Sequence, residues 1–255
     1  MNIMQTTHVL QPPFYLQPEE ETQLRAKVNK ISPSPVISNC KNFDDFVNQL
    51  MIPNTVMELA RKVANIELSK RELEGIRLSL KSGKLKAILE NKVQDDPSHP
   101  PYIRVTCTDD DVGSPVILEI WPGQHYSPIH SHGATTGIIY CLTGELDVML
   151  YDHLDWNAEK LGLVTLNKGD CAWLNETHFP VHKVFAPMPE DRFAASLHAY
   201  IKPSELPDLQ LQDRDRFDFV HEDEPHQLDV FLTHSDLTWH QLREEIDQWV
   251  TTDQF

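Results

Sequence analysis

Hydrophobic spacing divides the chain into regions of different character. From Asn42 onward, apolar residues recur at three- and four-residue intervals, which predicts amphipathic helices. Phe43, Phe46, Val47 and Leu50 form one stripe, and Val56, Leu59, Ala60 and Val63 a second. Ser69 followed by Glu72 predicts a capping box for a third helix, with Leu73, Ile76 and Leu80 on its apolar face. Leu85, Ile88 and Leu89 carry the helical period past Gly83. All these stripes are expected to be packing faces. Between Tyr102 and Ile201 the period shortens to two, or apolar residues run together between turn residues, and many short strands are expected. The period returns near the end, where Trp239, Leu242, Ile246 and Trp249 share one face of a helix expected over about Thr238 to Val250.

Punctuation sets the boundaries. Pro12, Pro13, Pro18, Pro33 and Pro35 interrupt residues 1–40, which are expected to be loosely structured. Residues 41–96 are expected to form a helical region, residues 97–203 a β-barrel on which it packs, and residues 204–255 an acidic tail ending in the last helix. The net charge of −17 argues against a nucleic-acid or anionic-membrane partner, since both need basic patches. No stretch approaches the roughly 20 apolar residues needed to span a bilayer. The N-terminal residues lack the basic and apolar regions of a signal peptide. The four cysteines, Cys40, Cys107, Cys141 and Cys171, show no CxxC spacing. A cytoplasmic, reducing location is the expectation.

Chemistry concentrates between Trp121 and Gly144. His130 and His132 lie two apart in a β-like segment, so both imidazoles point the same way. Two neutral imidazoles side by side can begin a site for Fe, Zn, Cu or Ni. The stiff apolar lead-in Pro128-Ile129 sets the pair apart from two histidines on a solvated edge. A third ligand follows in Gly169 to Phe185. His182 sits in the strand-like VHKVF, and His178 in an Asn-Glu-Thr-His loop. His182 is favoured because strand positions hold ligands more rigidly. A histidine pair followed by strand, Gly turn and strand resembles the signature of a cupin β-barrel.

Two further groupings share the barrel segment. In FAASLHAYI, Ser196, His198 and Tyr200 alternate and so face one side. If that side is the lumen, these groups must hydrogen-bond to one another or to a ligand; the alternative is a solvent face. Tyr102 and Arg104 likewise share a face, and a lumenal Arg offers a fork of donors matched to a carboxylate. An Arg at a strand start, read alone, is also an ordinary surface residue.

Taken together, residues 102–201 resemble cysteine dioxygenase, the thiol dioxygenase branch of the cupins. Trp121 leads SPIHSH at the family's spacing, Tyr102-x-Arg104 matches its carboxylate-binding segment, and SLHAY matches its SLHxY. The chain departs from the pattern at Ser131, where Asp is common, and at Gln124, where Gly is usual. Residues 183–186 lack the family's Asn. Gly137 stands where animal members carry the Cys that crosslinks to the Tyr. The resemblance therefore implies an uncrosslinked Tyr200.

The fold so implied is mainly β, a cupin β-barrel (jelly roll) with a helical N-terminal region and a C-terminal helix. The resemblance implies one mononuclear Fe(II) held by His130, His132 and His182 without a carboxylate. It assigns substrate binding to Arg104 and Tyr102, and a catalytic hydrogen-bond chain to Ser196, His198 and Tyr200. The implied partners are a small thiol and O2. The implied reaction converts L-cysteine to cysteine sulfinic acid. Another thiol carboxylate such as 3-mercaptopropionate, or a non-catalytic cupin sensor, are the alternatives.

Overall fold

The computed structural model describes residues 14–38, 42–95, 101–107, 116–201, 216–221, 227–232 and 234–250. In chain order the elements before the barrel are α1 (Pro18–Val28), β1 (Val36–Ile37), α2 (Phe43–Leu50), α3 (Asn54–Val63), α4 (Lys70–Ser82) and α5 (Lys84–Asp95). The barrel follows as β2 (Ile103–Thr106), β3 (Val116–Pro122), β4 (Ile129–Ser131), β5 (Thr136–Thr143), β6 (Glu145–Tyr151), β7 (Lys160–Asn167), β8 (Cys171–Leu174), β9 (Val181–Phe185) and β10 (Phe193–Ile201). The remainder is β11 (Arg216–Val220), β12 (Leu228–Leu232), β13 (Leu237–Thr238) and α6 (Trp239–Trp249).

The strands form two sheets, in the orders β1-β8-β5-β10-β3-β2-β13 and β12-β11-β4-β9-β6-β7. Their logic is a long hairpin wound on itself. β6 pairs with β7 at its tip, then β5 with β8, β4 with β9 and β3 with β10, all antiparallel. The pairs fall alternately into the two sheets, closed by β10 on β5 and β6 on β9. That is the double-stranded β-helix of the cupin fold. Leu118, Ile120, Leu146, Val148, Leu166 and Leu197 lie in its core, each at most 4% exposed. Between β5 and β6, Gly144 takes φ +75°, and a Cβ there would lie 2.8 Å from the Ala194 Cα, so the tight turn requires Gly.

Helices α3, α5 and α6 brace one sheet, and α1 lies on β7 of the other. Val56, Leu59 and Val63 of α3 are buried, and the Tyr140 hydroxyl on β5 donates to the Ala64 carbonyl at 3.0 Å. The capping box at Ser69 and Glu72 is formed. Helix α6 packs on α4 and reaches β2. Its Glu245 Oε1 accepts from Ser79 Oγ (2.6 Å), the Lys84 backbone N–H (2.9 Å) and Trp249 Nε1 (2.8 Å). Burial pushes this carboxyl up, but the donors outweigh it and bring it below the usual range. A lowered folded pKa contributes stability above the unfolded value, and that stability is lost as pH falls through the folded value. Glu245→Ala should therefore cost roughly 2–3 kcal/mol at neutral pH, and less on acidification. Denaturant melts at neutral pH and near pH 4 check this; a deficit that grows in acid would contradict it.

Three regions differ from the sequence expectation. Within residues 1–40, expected to be loosely structured, residues 18–28 form α1 and residues 36–37 form β1. Helix α1 buries only Leu24, so it carried no apolar stripe to read. It is held by Arg25, whose guanidinium donates to both Asp147 oxygens at 3.0 and 2.8 Å and also bonds Thr165. Within residues 204–255, described as an acidic tail, β11 and β12 add a hairpin beside β4. The α2 stripe is not a packing face, since Phe43 is 75% exposed and Leu50 67%. The proline run at residues 12–13 and Cys40 lie outside the described residues. Among the described residues, no helix is long and apolar enough to cross a membrane.

Candidate metal centre

The centre follows from strand register. β4 and β9 place His130 directly opposite His182, and His132, two residues after His130, directly follows β4. One nitrogen from each ring lies within 4.8 Å of the other two, and no carboxylate belongs to this group among the described residues. The three residues are 7–8% exposed. Burial lowers His130 to about 4, although Nδ1 bonds the Pro128 carbonyl at 3.0 Å. Burial, reinforced by neighbouring imidazoles, holds His132 and His182 well below the ordinary histidine value. All three rings are thus neutral, the form that ligates metals.

This donor set fits a resident first-row cation. Converging lone pairs on neutral, desolvated rings repel one another unless a cation lies between them. His182 Nδ1 is moreover buried with no hydrogen-bond partner among the described residues. A buried polar atom left so is costly, and a ligand or ion is one way such a site is completed. His178 is elsewhere: its Nδ1 lies 2.8 Å from Thr177 Oγ1, and its ring is 5.4 Å from that of Trp173.

A polar chain lies in the same lumen. The Trp121 indole donates to Ser196 Oγ at 3.0 Å, Ser196 Oγ lies 2.9 Å from His198 Nε2, and His198 Nδ1 lies 3.1 Å from the Tyr200 hydroxyl. The Tyr200 ring stacks on His132, with centroids 5.0 Å apart. Gly137 is the register partner of Tyr200, and a Cβ there would approach Tyr200 Cδ1 to 2.7 Å. With hydrogen in place of a side chain, no thioether can form between these two positions.

Arg104 is buried, 2% exposed, and its Nη1 lies 3.3 Å from Glu119 Oε1. Glu119 Oε2 in turn lies 3.0 Å from His198 Nε2. Burial alone pushes the Glu119 carboxyl up, but His198 and Arg104 outweigh it and bring it below the usual range. Arg104 is therefore held by an acid that the sequence reading did not select. The signal was present: a Glu inside the apolar run VILEIW needs a buried partner. Tyr102 plays a different part from Arg104. Its ring stacks on Trp121 at 4.0 Å, and burial raises its phenol, keeping it protonated.

No protein-family model matches the chain, and no curated protein matches it. Solved structures similar to it at low identity include cupin-domain proteins. The cupin domain of Schizosaccharomyces pombe Cnp3 is 6% identical, with a TM-score of 0.32; the match covers 40% of this chain and 61% of that one, under two thirds of its length. A cupin superfamily protein from Desulfitobacterium hafniense is 10% identical, with a TM-score of 0.31 and coverage of 41% and 81%. The DMSP lyase from Ruegeria pomeroyi is 16% identical, with a TM-score of 0.32 and coverage of 42% and 50%. The strand order and pairing, not these likenesses, give the double-stranded β-helix, and it carries a three-histidine cluster able to hold a metal.

Proposed function

We propose that this protein is a non-haem Fe(II) thiol dioxygenase that oxidises L-cysteine with O2 to cysteine sulfinic acid. The observation that supports this most is the presence, in one lumen, of a carboxylate-free cluster of three neutral imidazoles and a buried Arg. His130, His132 and His182 are the proposed iron ligands. Iron(II) held there supplies Lewis acidity toward the thiol and the redox partner for O2.

The remaining chemistry belongs to the chain. Arg104 binds the substrate carboxylate and fixes the distance from carboxylate to sulfur; such positioning contributes up to about 7–11 kcal/mol in ideal systems. Tyr102 and Trp121 wall the clamp and exclude water. The Tyr200 hydroxyl is placed beside the reacting oxygen by its hydrogen bond with His198, which is held in turn by Ser196 and Glu119. Trp121 fixes Ser196. Tyr200→Phe should keep iron content and melting temperature, while lowering kcat or uncoupling O2 uptake from sulfinate. Wild-type turnover with full coupling would remove Tyr200 from the mechanism.

Oxygen uptake by iron-loaded protein across a panel of thiols tests the reaction. Uptake is expected with cysteine. Uptake only with 3-mercaptopropionate would keep the chemistry and change the substrate. No uptake with any thiol would favour a binding protein.

A further inference from the structure

Glu119 is a buried charged group in this lumen to which the resemblance gave no role. Its position is built in by register, directly opposite Arg104 on β2 and Ser196 on β10. Its side chain is 3% exposed, and its two oxygens are divided between Arg104 Nη1 at 3.3 Å and His198 Nε2 at 3.0 Å. Each carboxylate oxygen has two lone pairs, so one contact on each leaves room for another donor. Through His198, Glu119 joins the chain that ends at Tyr200, whose ring stacks on the proposed ligand His132, so the carboxylate lies on the path that reaches the metal cluster.

Resting on the dioxygenase reading, we infer that Glu119 determines specificity, making the site select an amino-acid thiol over the same thiol acid without its amine. The reason is local charge matching. An isolated Arg104 would attract any carboxylate. With Glu119 beside it, the guanidinium is already matched, and an incoming carboxylate also approaches a like charge in a poorly solvated place. An amino group on the adjoining carbon reverses that penalty, because it brings donors that Glu119 accepts. The thiolate, the carboxylate and the metal are common to cysteine and 3-mercaptopropionate. Comparing the two ligands in two proteins therefore isolates the Glu119–amine term.

The test is anaerobic calorimetry of iron(II)-loaded protein with cysteine and with 3-mercaptopropionate, in wild type and Glu119→Gln. Gln keeps the size and an acceptor oxygen but removes the charge. Wild type should bind cysteine at least about tenfold more tightly, and the variant should narrow that ratio by about tenfold. Equal affinities in wild type, or an unshifted ratio in the variant, would overturn the inference. If Glu119→Gln fails to fold by circular dichroism, Glu119→Met takes its place; it also removes the charge and should narrow the ratio, and an unshifted ratio overturns the inference. Without oxygen, binding is read apart from turnover. A shifted ratio with neither thiol oxidised in air leaves the inference standing and removes the dioxygenase reading. Oxygen uptake with an unshifted ratio does the opposite.

Discussion

His182→Ala will retain no iron after gel filtration and will show no thiol-dependent oxygen uptake. Loss of supporting residues around a metal site already lowers affinity by about 10–100-fold, and loss of a ligand from a three-ligand set must exceed that. Two imidazoles remain, His130 and His132, with ring centroids 5.0 Å apart. The fold should survive, because His182 brings a buried nitrogen with no hydrogen-bond partner among the described residues. Removing it removes a desolvated polar group along with a little packing. His178→Ala is the matched control, since that ring bonds Thr177 in its own loop. Metal analysis and an oxygen electrode decide the matter. Full iron in His182→Ala, or lost iron in His178→Ala, would show that the ligand set is wrongly assigned.

Arg104→Ala should do two separable things. It removes the proposed carboxylate clamp, so KM for cysteine should rise strongly, while cysteamine, which has no carboxylate, should be little affected. It also leaves Glu119 with His198 as its remaining partner. Breaking a buried pair by deleting one partner typically costs about 3–5 kcal/mol, and the contact that remains should put this variant at the lower end. The cost should be greatest at neutral pH, where Glu119 is ionised. It should shrink as pH falls, because a buried carboxyl that has lost a cationic partner takes up a proton more readily. Arg104→Ala/Glu119→Gln should recover stability but not KM. If stability and KM recover together in the double variant, the KM effect was structural. Equal losses for cysteine and cysteamine in the single variant would also remove Arg104 from substrate binding.

The parts of this protein that were legible in the sequence are those whose signal is local. A period of two made Ser196, His198 and Tyr200 face one way, and they form one hydrogen-bonded chain. The capping box at Ser69 and the apolar face of α6 were readable for the same reason. Choosing His182 over His178 needed only the difference between a strand and a loop. What was missed depends on contacts far apart in sequence. Helix α1 is held by Arg25 on Asp147, more than a hundred residues away. The exposed α2 stripe has the period of a packing helix, and period cannot say whether anything packs there. Glu119 was hidden because its partners, Arg104 and His198, lie on two other strands. Its one local sign, a charge within VILEIW, was readable.

The central claim is that three imidazoles, Arg104 and the Tyr200 chain together add both atoms of O2 to one sulfur. The most direct measurement is turnover of cysteine by iron-loaded protein under isotopically labelled O2 in ordinary water, followed by mass spectrometry of the product. The account predicts cysteine sulfinic acid carrying label in both sulfinate oxygens, one O2 consumed per product, and no label incorporation by His182→Ala. Product with one oxygen from water, or disulfide as the sole product, would contradict it.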